Sequence, residues 1–478
     1  MENNKENYSL KKATLIYGVA RYSTVVINLI ITGILSRLLL PNEYSVVALV
    51  SVFSTFFSAI SNMGIGTGVI QYKQLVKSDF DDLFTLSFYI SLFMGIVFVL
   101  MGYPVSLIYN DAVYRNVFLV LSISVFFTSL NAVPDAILLR EKCFYSVGIR
   151  MIVTTVLSGA VAVGMAFWGG SYYSLLIQMI ISSACNAVWN IAKTKVKLKI
   201  KINVEAFKLI YRYSSYQFGY NLINYFAQNF DNLVIPKTIG VEALAYYNKS
   251  YTLMRYPINL LPHTISPVLH PILSNFQENK EQLFEKYLQV TKILSILGIY
   301  ITGVCFFFAD DLIETLFGTN WGNAVQPFQI LSLCIWAQLI NAIAGSIYQS
   351  LGNTDKMFTS GIIHVGVTMV FTIVGAISKN LIVLSFCVMV SLNIKFFIET
   401  FFLVGKCFKK SLFQFYRFFS SDFVNLVLLI IIDYGVSQIS IDNSFVALVI
   451  KVFISLVAYI FVLCITKQIR YMQIILKK

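Results

Sequence analysis

The chain has 478 residues, of which 57% are apolar and 12% charged, with a mean hydropathy of +0.74; a soluble globular domain carries about a quarter charged residues, so the composition excludes that class and points to a polytopic membrane protein. The net charge of +13 does not point to nucleic acid, because the Lys and Arg residues sit in short connections between apolar runs, where the positive-inside bias places them. The seven cysteines form no CxxC pair and no metal-ligand spacing, and most fall inside apolar runs, where they read as small hydrophobes.

A membrane span takes about 20 apolar residues. On that measure the expectation is an all-α protein with about 14 transmembrane helices, at 14–36, 44–70, 84–109, 115–139, 147–168, 171–192, 211–235, 243–272, 287–309, 324–351, 357–378, 381–404, 418–437 and 444–466. The narrowest separations are near Gly169 and Lys379. The first apolar stretch is too long for a signal-peptide core and is expected to remain as a helix.

An even number of spans puts both termini on one side. Lys5, Lys11, Lys12, Lys73, Lys77, Arg140, Lys142, Arg150, the run from Lys193 to Lys201, Lys280, Lys286, Lys356, Lys406, Lys409, Lys410 and the basic tail then share that side, against Arg37, Arg115, Lys237 and Lys379 opposite. That asymmetry places both termini in the cytoplasm. The longest and most basic connection, around 192–211, falls near mid-chain, where a linker between two bundles would lie.

A weak internal repeat supports two bundles. The stretch Arg37 to Val46 and the stretch Lys237 to Tyr246 each join two apolar segments through a short turn, about 200 residues apart. At the same offset Tyr17, Arg21, Thr24 and Asn28 fall opposite Gln217, Asn221, Asn224 and Gln228. Two pseudo-symmetric bundles around a central cavity are a common plan of secondary transporters.

The stretch 211–272 carries the sharpest chemistry. Gln217, Asn221, Asn224, Gln228 and Asp231 recur every three or four residues, which on a helix makes one polar stripe. After a hinge near Pro236 come Glu242, Lys249, Tyr256, His263 and His270 at seven-residue intervals, with Arg255 beside them and Pro257, Pro262, Pro267 and Pro271 expected to bend the helix. Inside a bilayer such stripes must face protein or a wet cavity. Arg21, Asn28, Gln217, Asn221, Asn224, Gln228, Lys249 and Arg255 are therefore expected to line a substrate path, with Asp231 as the candidate for ion coupling.

Other polar residues in apolar runs have plainer readings. Lys292 and Lys451 are expected to snorkel to headgroups, Lys395 and Glu399 to be either an i, i+4 ion pair facing the bundle interior or part of a site, and Asp433 to be either an ion site or a helix-end carboxylate. Gly64 and Gly68, at GxxxG spacing, mark close helix contact. The three histidines are not spaced to share a metal, and no nucleophile elbow, HExxH or phosphate loop is present. Neither a cofactor, nor a metal, nor an enzymatic activity is expected.

The segments Ser61 to Gln71, Asn224 to Ile235 and Glu242 to Tyr251 resemble the Wzx-type polysaccharide and O-antigen flippases, closest to the colanic-acid exporter branch of the multidrug/oligosaccharidyl-lipid/polysaccharide superfamily. Asn62 stands where an acidic residue is common in that family, and Leu40 and Ser45 replace the usual glycines of the first turn, whereas Gly240 keeps its place in the second. The resemblance implies two bundles at 1–200 and 201–404, with two additional spans and a cytoplasmic tail in 405–478. It also implies a flippase in the bacterial inner membrane that carries an undecaprenyl-diphosphate-linked oligosaccharide by alternating access, with H+ or Na+ coupling and a polysaccharide polymerase as a partner. The rival readings are a cation-coupled drug antiporter of the same fold, a lipid II flippase, and a membrane glycosyltransferase or polymerase, which would need a large outer catalytic loop that the chain lacks.

Overall fold

The computed structural model describes residues 10–62, 64–72, 74–199, 204–274 and 280–471, with the backbone alone at a subset of positions that includes 217, 221, 224 and 261–274. Every described regular element is helical, and the chain divides into two compact units, Met1–Ala245 and Tyr246–Lys478. The first holds α1 (Leu10–Leu38), α2 (Pro41–Asn62), α3 (Ile65–Gln71), α4 (Lys77–Ile108), α5 (Val113–Leu130), α6 (Ala132–Arg140), α7 (Phe144–Phe167), α8 (Tyr173–Thr194) and α9 (Glu205–Thr238). α10 (Val241–Ser274) starts at the boundary and leads into the second unit. There follow α11 (Lys280–Phe307), α12 (Ala309–Phe317), a 3-10 turn (Thr319–Ala324), α13 (Val325–Ser332), α14 (Ile335–Asn341), α15 (Ala344–Ser350), α16 (Thr354–Ile377) and α17 (Leu381–Thr400). A π-helical segment (Phe401–Cys407), α18 (Leu412–Phe418), α19 (Ser420–Ser437) and α20 (Ser444–Ile465) complete it.

Eleven helical segments among the described residues are long and apolar enough to cross a membrane, and a twelfth arises if Thr319–Ser332 and Ile335–Tyr348, bent by 52°, count as one broken span. These twelve fall on twelve of the fourteen expected spans. The remaining two, 211–235 and 243–272, are α9 and α10, each a 34-residue helix. Their length suffices, but their polar residues keep them below the apolarity of the rest.

Local chemistry fixes the breaks. α1 and α2 are separated by Leu39 and Leu40 alone; Pro41 opens α2 with its preset φ, and Leu40 donates its N–H to Glu43 Oε2 (2.7 Å). The same two-residue connection recurs at Ile239 and Gly240, where Gly240 takes φ 138°. The hinge expected near Pro236 thus falls at the end of α9: Pro236 lies inside its last turn, and the glycine four residues on makes the turn. α10 is helical throughout 241–274, Pro257, Pro262, Pro267 and Pro271 included. Asn380 and Asn443 cap α17 and α20 by accepting two backbone N–H bonds each.

The two glycines at GxxxG spacing have separate duties. Gly64 turns the chain between α2 and α3 with φ 68°. Gly68 lets α9 approach, since a methyl group there would lie 3.0 Å from Ile210 Cδ1 and Ser214 Oγ. Arg140 then ties α6 to the end of α3, donating to the carbonyls of Val69 (2.8 Å), Tyr72 (3.0 Å) and Leu75 (3.2 Å).

Candidate functional site

Within the first unit, α1, α5, α7 and α8 line an open cavity of about 410 Å³. Every residue that lines it is uncharged, and all but Met179 are Asn, Gln, Ser or Thr. The helical repeat explains the lining. Gln178, Ser182 and Asn186 stand four apart on α8, Ser124 and Thr128 four apart on α5, and Thr155 and Ser158 three apart on α7, so each helix turns one polar stripe to the hollow. Asn28 supplies the wall from α1 and Asn131 the joint between α5 and α6. Some of these groups are used internally: Asn186 donates to Ser182 O (2.6 Å) and Ser124 to Met179 O (3.3 Å). The side chains of Asn28, Thr128, Thr155, Gln178 and Ser182 make no hydrogen bond to another described residue.

Next to this hollow lies a polar knot. Asn190, fully buried on α8, donates to Asn131 Oδ1 (2.8 Å) and Asp135 Oδ1 (3.1 Å), and Arg150 on α7 pairs with the same Asp135 oxygen at 2.6 Å. Arg150, counted by its position among loop cations, is in fact buried and neutralised by Asp135. Sequence reading missed Gln178, Ser182, Asn186 and Asn190, although their unbroken four-residue spacing was a visible signal.

The expected site residues distribute as follows. Arg21 is half-buried on α1, and Asn28 faces the cavity. Gln228 on α9 is exposed and Asp231 buried, with Asp231 Oδ1 accepting from Asn232 N at 2.8 Å. The side chains of Gln217, Asn221 and Asn224, like those of His263 and His270, lie outside the described residues. Between them on α9, Tyr225 donates to Val52 O (2.7 Å) and packs against Phe56.

In the second unit, Lys249 is buried with its ammonium over the rings of Phe317 (4.8 Å) and Trp321 (5.0 Å). Arg255 is half-buried, one turn on from Tyr251, over whose ring its guanidinium lies at 5.7 Å. Lys395 of α17 lies close enough to Arg255 and Glu399 for their charges to interact, and to His364 of α16 likewise. Lys395 and Glu399 do not form a direct ion pair; Glu399 Oε2 accepts from Ser360 Oγ at 3.4 Å, and its backbone carbonyl from Tyr348 (3.3 Å). Arg255, Lys395, Glu399 and His364 thus form one cluster of ionisable groups with an excess of positive charge.

Lys292 and Lys451 do not snorkel. Lys292 is fully buried and bonds to Asp422, to Ser421 Oγ (3.1 Å) and to the carbonyl of Phe418 (3.2 Å), while Ser295 donates to the other Asp422 oxygen at 2.5 Å. Lys451 pairs with Asp311 at 2.7 Å. Both lysines stand where a complementary carboxylate on a neighbouring helix is in reach, so pairing inside the protein replaces the headgroup. Asp433 is fully buried too; Ser455 donates to its Oδ1 at 2.6 Å, and its Oδ2 has no partner among the described residues. Among the described residues no three His, Cys, Asp or Glu side chains are placed to hold a metal ion.

Comparison with known proteins gives a consistent result. Residues 34–326 match the family model described as "Polysaccharide biosynthesis protein". The chain is 21% identical over 311 residues to the teichuronic acid biosynthesis protein TuaB of Bacillus subtilis, a match that spans 64% of each chain. It is 21% identical over 455 residues, 92% of each chain, to a membrane protein encoded in the cps region of Klebsiella pneumoniae. It is 18% identical to the succinoglycan biosynthesis transport protein ExoT of Rhizobium meliloti, covering 75% of this chain and 77% of that one. The fold matches the inward closed conformation of the lipid II flippase MurJ with a TM-score of 0.74 over 96% of this chain and all of that one, at 13% identity. It matches an inward-facing multidrug resistance MATE family transporter with a TM-score of 0.59 over 84% of this chain and 98% of that one, at 17% identity.

Proposed function

The chain belongs to the polysaccharide biosynthesis protein family, a multi-pass membrane transporter of the flippase superfamily, and on that premise we propose that it flips a lipid-linked oligosaccharide, built on undecaprenyl diphosphate, across the bacterial inner membrane. The observation that carries the reading is the family match over 34–326 joined to a membrane-spanning fold whose polar hollow holds amides and hydroxyls. Relatives named for the biosynthesis or transport of surface polysaccharides support it.

In this reading the halves 1–200 and 201–404 alternate access and 405–478 adds two helices. Arg255 and Lys249 answer the diphosphate, with Arg21 a third cation. Asn28, Gln217, Asn221, Asn224 and Gln228 answer sugar hydroxyls. Asp231 is the group proposed to couple a proton or sodium ion, both termini are cytoplasmic, and a polysaccharide polymerase receives the product. The rival drug antiporter would bind organic cations and so needs carboxylates in its cavity; no carboxylate lines the hollow of the first unit.

A strain lacking this protein is expected to accumulate its lipid-linked repeat unit in the cytoplasmic leaflet and to lose surface glycan. Normal glycan with lost drug efflux would overturn the reading in favour of the antiporter. Arg255→Ala is expected to lower glycan export at least tenfold with unchanged protein level in the membrane, measured by surface-glycan staining and immunoblot.

A further inference from the structure

Three buried cations among the described residues are answered by carboxylates: Lys292 by Asp422, Lys451 by Asp311 and Arg150 by Asp135. The cavity of the first unit is built from neutral groups instead. Here no charged side chain reaches the hollow, and five polar side chains are left without a described partner.

A phosphate or an organic cation brought into such a hollow would shed part of its hydration without gaining an opposite charge, which is unfavourable. An apolar lipid tail would strand the amides and hydroxyls without hydrogen-bond partners. A ligand with many neutral hydroxyls loses nothing. Each hydroxyl both donates and accepts, and so do the amides of Asn28 and Gln178 and the hydroxyls of Thr128, Thr155 and Ser182. The volume of about 410 Å³ lies in the range of about 300–1,000 Å³ for small-ligand sites. Three of the four helices that carry these groups, α5, α7 and α8, are tied beside the hollow by the Asn131–Asn190–Asp135–Arg150 knot, so the directions of their side chains are largely set before a ligand arrives.

We propose that this hollow is a subsite for uncharged sugar rings, with Asn28, Thr128, Thr155, Gln178 and Ser182 as its hydrogen-bonding wall. The assignment rests on the flippase reading and adds to it the class of headgroup: neutral hexose or pentose units enter the first unit, and a uronic acid or phosphorylated sugar does not.

The test uses the full chain in lipid nanodiscs with two probes, undecaprenyl diphosphate bearing a neutral oligosaccharide and undecaprenyl diphosphate without sugar, and reads affinity by native mass spectrometry. The unaltered protein is expected to bind the sugar-bearing lipid more tightly. The near-isosteric triple variant Thr128→Val/Thr155→Val/Gln178→Leu keeps the packing volume and removes three polar groups. It is expected to weaken the sugar-bearing lipid by about 10- to 100-fold, as the loss of three ordinary hydrogen bonds implies, and to leave the bare lipid unchanged. A melting temperature equal to that of the unaltered protein shows that the variant is folded; if it is not, the single variants Thr128→Val and Gln178→Leu are read the same way. Equal weakening of both lipids, or of neither, would overturn the subsite and leave the flippase reading standing. Failure of the unaltered protein to bind either lipid would overturn both.

Discussion

Removing the ammonium of Lys292 would leave Asp422 buried and uncompensated, held only by Ser295. Breaking a buried pair in this way costs about 3–5 kcal/mol, so Lys292→Met is expected to lower the melting temperature in detergent sharply, and the double variant Lys292→Met/Asp422→Leu to regain most of the loss. Asp433 makes the opposite case. One of its oxygens is already without a partner among the described residues, so Asp433→Asn is expected to leave the melting temperature unchanged or raise it, whereas Asp422→Asn lowers it. These residues also show where sequence reading stops. That Lys292, Lys451 and Asp433 lie in apolar runs is plain from the chain, but their partners are 130, 140 and 22 residues away. A lone lysine in an apolar run looks the same whether it reaches for a headgroup or for a carboxylate on another helix.

Among the helices, close approach is set by glycines placed against bulk. A methyl group on Gly375 would lie 2.7 Å from the Leu384 Cα, and one on Gly303 would lie 2.6 Å from Asp433 Oδ2 and 2.9 Å from Leu429 Cδ2. The first obstacle is backbone and cannot rotate aside. Gly375→Ala is therefore expected to destabilise the α16–α17 hairpin by about 1–3 kcal/mol, read as a lower melting temperature, while Gly361→Ala on the same helix, with open space around it, leaves it unchanged. Helix existence was legible because runs of about 20 apolar residues admit little else in a bilayer. Helix boundaries were less so. The hinge near Pro236 was legible only to within a few residues: the break falls at Ile239 and Gly240, the glycine already marked as that of the second turn. The cavity of the first unit was legible only at Asn28. Its other walls come from α5, α7 and α8, whose Ser and Thr are individually unremarkable in a membrane helix and become a site only when three stripes converge.

At the scale of the whole chain, the fold matches those of the MurJ flippase and a MATE family transporter at TM-scores of 0.74 and 0.59 despite identities of 13% and 17%. A fold kept at such identities is maintained by pattern, apolar spans with sparse polar interruptions, rather than by particular side chains. The orientation proposed from the basic connections is open to direct measurement. Reporter fusions after Lys142 and after Lys356 are expected to be active only as cytoplasmic fusions, and those after Asp111 and Lys379 only as exported ones; the reverse pattern would invert the topology.

α9 and α10 carry a consequence for how the protein is made. A helix leaves the insertion machinery for lipid when its own transfer free energy favours it, and a charged residue near its centre opposes that by about 2.5–3.5 kcal/mol. α20, apolar along almost its whole length, inserts on its own account, whereas α9, with Arg212 and Asp231 toward its two ends and a row of amides between them, does not. Synthesis must therefore hold α9 and α10 beside helices already embedded until their polar faces are shielded. In a glycosylation-reporter assay of single segments, α20 is expected to insert almost completely and α9 only in a minority of chains.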